Sequence, residues 1–429
     1  MACRGVVAGM LTLVGILISI LSPATSASST RGFRATLTRS YGSNHSAAAS
    51  DDARRLASLS STSSSSSLGL QTQVENGAGA FLINLSIGTP PLAFPAFLDT
   101  GSDLTWTQCA PCTACFHQHT PLYDPPGSST FSKLPCADPL CRSLPAPFRS
   151  CNATGCVYYY RYAVGFTTGY LAADTLAIGD VPFPGVAFGC STANGGPMDG
   201  ASGIVGLGRG PLSLVSQLGF TRFSYCLRSD SDAGASPILF GSMANNLTGD
   251  KVQSTPLVQN PVARRHAPYY YVNLTGITVG ATDLAVTFGF TSAGAGGLIV
   301  DSGTTFTYLA EVGYAVVRQA FLSQTAGLLT TVSGAPFDFD LCFDAGTRSV
   351  DALPIPSLVL LFAGGAEYVV PRKSYFDVVD ERGSVACLLV LPTRGHVSVI
   401  GNVMQMDLQV LYDLEAGALS LAPADCASV

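Results

Sequence analysis

Two short stretches of this 429-residue chain carry residue types that could do chemistry together. Asp99-Thr100-Gly101-Ser102 follows the apolar run Ala96-Phe97-Leu98, and Asp301-Ser302-Gly303-Thr304 follows Leu298-Ile299-Val300. An apolar run buries a strand up to its Asp, so the carboxylate emerges at the floor of a groove. The glycine behind it lets the backbone turn sharply, and the Thr or Ser hydroxyl can reach across to an opposite loop. If a pseudo-twofold axis relates the two copies, both carboxylates meet there. Carboxylates about 3 Å apart cannot both ionise, so they share one proton and titrate as a pair. The charged partner then serves as general base on a water while the protonated one polarises a carbonyl. That chemistry needs no metal and no cofactor. One Asp-Thr-Gly is weak evidence, because such turns are common. Weight comes from a second shared pattern, Ile204-Val205-Gly206 and Val399-Ile400-Gly401, which follows the two Asp residues by 107 and 100 positions.

Positioning two such loops takes two copies of one lobe, and the composition suits a mostly β, bilobal chain. Gly (45) and Pro (26) are frequent, favouring short strands and turns over long helices. Hydrophobic residues at 47% against 12% charged exclude a disordered chain. A strand is predicted at Phe81–Ile87, closed by Gly88-Thr-Pro-Pro91, and similar runs recur to the C-terminus, including 358–362 as a core strand. Helical candidates are few: Leu212–Leu218, Tyr314–Thr325 and a turn near Arg372–Phe376. The division expected is a first lobe at 79–260 and a second at 261–429. Arg264-Arg265-His266 reads as an exposed turn between lobes, with a processing site as the alternative.

Charge separates the ends of the chain. The net charge is −6, and no Lys/Arg run suggests a nucleic-acid partner. Residues 79–429 hold 16 basic and 25 acidic residues, whereas residues 28–78 hold five Arg (31, 34, 39, 54 and 55) and three acids. This basic leader is expected to lie over the acidic body. Its serine-rich stretch to Ser67 and its lack of apolar period read as a linker or removable propeptide outside the core.

Residues 1–27 read as an export signal: Arg4, an apolar run from Val6 to Leu21, then small residues to Ala27. A retained anchor is the rival reading, but the run is short for a span. No membrane association is expected once the signal is removed. Twelve cysteines remain beyond Cys3, an even number that suits disulfides in an oxidising compartment. Cys109, Cys112 and Cys115 with His117 and His119 have zinc-like spacing, but the oxidising compartment and even count favour disulfides, with both histidines as surface residues. N-x-S/T sequons begin at Asn44, Asn84, Asn152, Asn246 and Asn273.

From Phe81 to Cys426 the chain resembles the pepsin-like aspartic proteases, and within them the plant nepenthesin-like group. Ser-Ile-Gly-Thr-Pro-Pro (86–91), Leu98–Ser102, Val300–Thr305, Ile400-Gly401-Asn402 and Tyr412-Asp413 carry the resemblance. It implies the bilobal pepsin-like fold with a central cleft and catalytic Asp99 and Asp301. Thr100, Gly101, Ser102, Ser302, Gly303 and Thr304 would support their loops. It places Trp106, the only Trp, beside a flap tyrosine, Tyr162, in a hairpin through Gly165. The family usually has Gly after that Tyr and Ser four residues on, and here these are Ala163 and Phe166. The resemblance also implies the pairs Cys109–Cys112, Cys115–Cys190, Cys136–Cys156, Cys141–Cys151, Cys226–Cys426 and Cys342–Cys387.

The function expected is that of a secreted aspartic endopeptidase made as a zymogen, a monomer acting on protein or peptide substrates at acidic pH in the apoplast or vacuole. The alternative is an inactive secreted protein of the same fold that inhibits a glycosidase such as a xylanase, against which both Asp loops are intact.

Overall fold

The chain enters the fold earlier than its composition suggests. The computed structural model describes residues 1, 32–39, 45–60, 79–162, 165–196, 198, 200–229, 235–245, 247–262, 268–292 and 294–429. Within the segment expected to lie outside the core, β1 (Phe33–Arg39) pairs antiparallel with Ser236–Phe240 and with β2 (Phe81–Ile87). Ala35 and Leu37 are buried in the main core, as are Ala48, Ala49 and Leu56 of the helix α1 (His45–Ser60). That expectation is corrected: part of the leader is built into the body. Its apolar face escapes notice in sequence because it consists mostly of alanines, which carry little hydrophobic signal, with an Asp among them. The export signal lies outside the described residues, and no helix among them is long and apolar enough to cross a membrane.

Alternation organises the first lobe. In β2 Phe81, Ile83, Leu85 and Ile87 are buried while Asn84 is exposed. β3 (Leu92–Asp99) returns antiparallel to β2, with Leu82 opposite Phe97, and ends on Asp99. The strand Gly203–Gly206 runs parallel to β3 with Gly206 opposite Asp99. In the second lobe Leu298–Val300 is parallel to Ser398–Ile400, with Val300 opposite Ile400. Both halves of the repeat therefore use one construction. The glycines are sterically required: a Cβ on Gly206 would lie 2.3 Å from the Asp103 carbonyl carbon, and one on Gly401 would lie 2.1 Å from the Phe306 oxygen.

Among the described residues, twenty strands share one hydrogen-bonded network, and two four-stranded sheets complete the second lobe. The lobes join where Arg222–Cys226 pairs with both Ser236–Phe240 and Leu408–Asp413. Phe223 stacks flat on Tyr412 there, with centroids 4.5 Å apart. Leu358–Phe362 is a strand. The expected helices are Leu214–Gln217, Glu311–Thr325 and a 3-10 turn at Arg372–Ser374. Arg264-Arg265-His266 lies outside the described residues.

Six disulfides hold the twelve cysteines, and four differ from the expected pairing. Cys226–Cys426 and Cys342–Cys387 have the expected partners. Cys109 pairs with Cys190 instead of Cys112, and Cys112 with Cys115. The reason is β4 (Trp106–Gln108), which runs parallel to Val181–Gly195 with Thr107 opposite Cys190. That register brings the Cys109 and Cys190 Cα atoms to 5.4 Å. Cys136–Cys151 and Cys141–Cys156 replace the nested pairs. Burial sorts these four, since Cys141 and Cys156 are fully buried while Cys151 is exposed.

Candidate active site

The two Asp loops meet in a reciprocal set of hydrogen bonds. The Thr100 backbone N–H donates to the Ser302 hydroxyl at 3.1 Å, and the Ser302 N–H donates to the Thr100 hydroxyl at 2.9 Å. Each hydroxyl in turn donates to a carbonyl on the opposite strand, Thr100 to Val300 at 3.3 Å and Ser302 to Leu98 at 3.0 Å. All four bonds are buried, where an unmade partner would cost about 1–3 kcal/mol. The loops are therefore clamped at one mutual orientation.

Each carboxylate is held in the same manner. Asp99 Oδ1 accepts from the Gly101 N–H at 3.0 Å, and Oδ2 from the Ser102 hydroxyl at 2.5 Å. Asp301 Oδ1 accepts from the Gly303 N–H at 2.9 Å, and Oδ2 from the Thr304 hydroxyl at 2.6 Å. Both Asp residues are 1% exposed. The two carboxylates are thus held by matched sets of donors, a glycine N–H and a Ser or Thr hydroxyl each.

The Tyr162 hairpin stands beside Asp99. Gly155–Tyr162 pairs antiparallel with Gly165–Ile178, and Tyr162 faces Gly165 at the tip. The Trp106 indole N–H donates to the Tyr162 hydroxyl at 2.9 Å, which leaves the hydroxyl hydrogen free for another acceptor. Burial, neighbouring Tyr160 and the charge of Asp99 push the Tyr162 pKa well above 10, keeping the group a neutral donor. Gly165 has a packing role: a Cβ there would lie 1.9 Å from the Gly195 carbonyl oxygen. Among nearby tyrosines, Tyr158 is buried and Tyr159 exposed, the two faces of one strand.

Sequence reasoning missed four residues around these loops. Asp103 sits beneath the 206–211 loop, where Gly208 and Gly210 leave room for it, and its Oδ1 accepts from the Gly210 N–H at 2.8 Å. Burial pushes its carboxyl up to about 7; the Gly210 bond opposes this and the charge of Asp99 adds to it. Asp52 of α1 accepts from the Thr305 N–H at 2.9 Å and the Phe306 N–H at 2.7 Å, immediately after the second acidic loop. Gln405 and Tyr225 lie beneath Asp301. One signal was available in the repeat. Gln405 stands four residues past Gly401, where the first copy has Gly210 past Gly206.

The remaining candidates are scattered. Cys109, Cys112 and Cys115 are all spent in disulfides. The His117 and His119 rings lie edge-on at 5.6 Å. No group of three or more metal-ligating side chains occurs among the described residues. Asn84, Asn152 and Asn273 are exposed, and Asn44 and Asn246 lie outside the described residues.

Two family models match the chain, described as xylanase inhibitor N-terminal over residues 81–242 and xylanase inhibitor C-terminal over residues 269–423. Aspartic proteinase nepenthesin-1 of Nepenthes gracilis is 41% identical over 364 residues, spanning 83% of this chain and 80% of that protein. Aspartyl protease family protein 2 of Arabidopsis thaliana is 37% identical over 82% of this chain and 72% of its own. Among solved structures, edgp aligns at a TM-score of 0.67 and 19% identity, over 92% of this chain and 96% of that one. Basic 7S globulin from soybean aligns at 0.63 and 21%, over 80% and 93%. These two likenesses bear on the fold alone.

Proposed function

The chain belongs to the pepsin-like aspartic proteases, and on that premise we propose that it is a secreted endopeptidase whose catalytic residues are Asp99 and Asp301. The observation that carries this reading is the reciprocal Thr100–Ser302 bonding, which holds the two acidic loops against one another, each with its carboxylate in the same kind of donor set. One Asp is charged and takes a proton from water, and the water oxygen attacks the peptide carbonyl carbon. The other, protonated, donates to the carbonyl oxygen as charge develops there. Collapse of the tetrahedral species breaks the C–N bond: the proton gained from water passes to the leaving amine, and a hydroxyl of the tetrahedral species returns a proton to the Asp that had donated one. The Tyr162 hairpin closes over an extended peptide, with its free hydroxyl hydrogen directed to substrate.

The leader makes the protein a zymogen. α1 packs against Gly155–Tyr162, Val390–Thr393 and the turn Ala335–Phe337, so it bridges the flap strand and the second lobe. Beside the expected attraction, in which Arg39 and His45 of the leader face Asp377 of the body, stands an anchor of opposite sign: an Asp of the leader bound to amides of the body. Of the leader arginines whose side chains are described, Arg34 donates to the Val429 carbonyl and Arg39 to that of Ser229.

A second reading, an inhibitor of a xylanase, is favoured by the descriptions of the two family models. Acid-treated protein should cleave unstructured polypeptide at pH 3–5 and be blocked by a statine-containing peptide. Xylanase inhibition without any cleavage would replace the endopeptidase reading with this one.

A further inference from the structure

The two acidic loops are not held alike from below. In the first, the Asp99 backbone carbonyl accepts from the Leu207 N–H at 2.8 Å. In the second, the matching backbone N–H, that of Asn402, donates instead to the Thr304 carbonyl at 2.8 Å. The Asp301 carbonyl accepts from a side chain. Gln405 Nε2 donates to it at 3.3 Å and to the Ile400 carbonyl at 2.9 Å. Ile400 O also accepts the Asp301 N–H at 3.1 Å.

Two carbonyl acceptors around Nε2 fix the orientation of the Gln405 amide, so its Oε1 faces Tyr225 as an acceptor. The Tyr225 hydroxyl donates to that oxygen. The Tyr225 and Tyr412 hydroxyls lie 2.9 Å apart, and with Tyr225 spending its hydrogen on Gln405, Tyr412 is the donor between them. Tyr412 also neighbours the Thr100 hydroxyl. Gln405 is 2% exposed, and both tyrosines are fully buried.

The peptide joining Asp301 to Ser302 is therefore held at both ends. Its carbonyl is gripped by Gln405, and its N–H by Thr100 of the other lobe. We propose that Gln405, braced by Tyr225 and Tyr412, is a positioning residue that sets the orientation of the Asp301 carboxylate relative to Asp99. This rests on the endopeptidase reading. A tilt of that peptide moves the carboxylate directly, and misplacement of a reacting group by about 1 Å costs on the order of 100-fold in rate.

The test is steady-state kinetics of Gln405→Leu, Gln405→Glu and Tyr225→Phe beside the wild type, from pH 3 to pH 6. Gln405→Leu should lose about 10–100-fold in kcat with KM within about twofold. A protonated Glu keeps one O–H donor and one acceptor, whereas an ionised Glu presents only acceptors to two carbonyls. Gln405→Glu should therefore approach wild-type kcat near pH 3 and fall away faster than wild type as pH rises. If Gln405→Leu does not fold, Tyr225→Phe, which keeps the ring packing, should still lower kcat about threefold or more without raising KM. Wild-type kcat and pH profile in these variants, or equal pH-independent losses in the Leu and Glu variants, would overturn the proposal alone. An inactive wild type would overturn the endopeptidase reading, and the proposal with it.

Discussion

Thr100 and Ser302, 202 residues apart, each donate a backbone N–H to the other's hydroxyl, at 3.1 and 2.9 Å. Each loop thus supplies the donor and the acceptor that the other needs, and neither is satisfied alone. Removing one hydroxyl leaves a buried N–H and a carbonyl without partners. Ser302→Ala should lower thermal stability by about 1–3 kcal/mol and reduce kcat, with KM little changed. Thr100→Ser, which keeps the hydroxyl, should fall much closer to wild type. Calorimetry and kinetics on the two variants check this.

The Asp52 anchor predicts how the leader comes off. Asp52 accepts from both the Thr305 and Phe306 amides, so removing its carboxylate removes both contacts of the leader with the second acidic loop. Asp52→Ala lacks the anchor at every pH, so its full chain should shed the leader and gain activity at a higher pH than wild type. Gel analysis and peptide cleavage from pH 7 to pH 3 read the onset, and an identical onset would contradict the anchor.

Asp103 predicts the pH dependence of stability. Its carboxyl is raised to about 7 in the folded chain, against about 3.9 when unfolded. Below pH 4 both states are protonated and no penalty arises. Between about 4 and 7 the unfolded chain has lost this proton and the folded chain has kept it, so stability falls as pH rises. Asp103→Asn should flatten that decline. Melting curves at pH 4, 5, 6 and 7 in an Asp301→Asn background, which avoids self-cleavage, give the comparison.

The Trp106–Tyr162 hydrogen bond sets the resting position of the flap. Trp106→Phe keeps an aromatic ring but loses the donor. It should lower kcat/KM about fivefold, from a bond worth ~1 kcal/mol, and Tyr162→Phe should cost more because it also removes the hydrogen directed to substrate. Equal kcat/KM in all three proteins would mean that the pair has only a packing role.

What was legible in the sequence depended on how local the signal is. The Asp loops announce themselves because an apolar strand, an Asp and a Gly are contiguous, and because the repeat doubles the signal. Trp106 and Tyr162 are separated by 56 residues, so only the family resemblance could bring them together. The disulfides Cys109–Cys190 and Cys141–Cys156 follow from strand register and burial, which spacing does not encode. α1 was missed because Ala48, Ala49, Asp52 and Leu56 form a helical face with little hydrophobic contrast. Gln405 looks like any polar residue until its amide is seen to serve the Asp301 carbonyl, as the Leu207 N–H serves that of Asp99.

The central claim is that Asp99 and Asp301 form one shared acid–base unit. The most direct measurement is the turnover of an unstructured peptide at pH 3–5 by folded Asp301→Asn protein, with folding established by circular dichroism and its melting temperature. Each acid–base contribution is worth about 10²–10⁴ in rate. The account predicts a fall of at least that size, with the mirror substitution Asp99→Asn equally damaging. Turnover near the wild-type rate in a properly folded Asp301→Asn protein would contradict it.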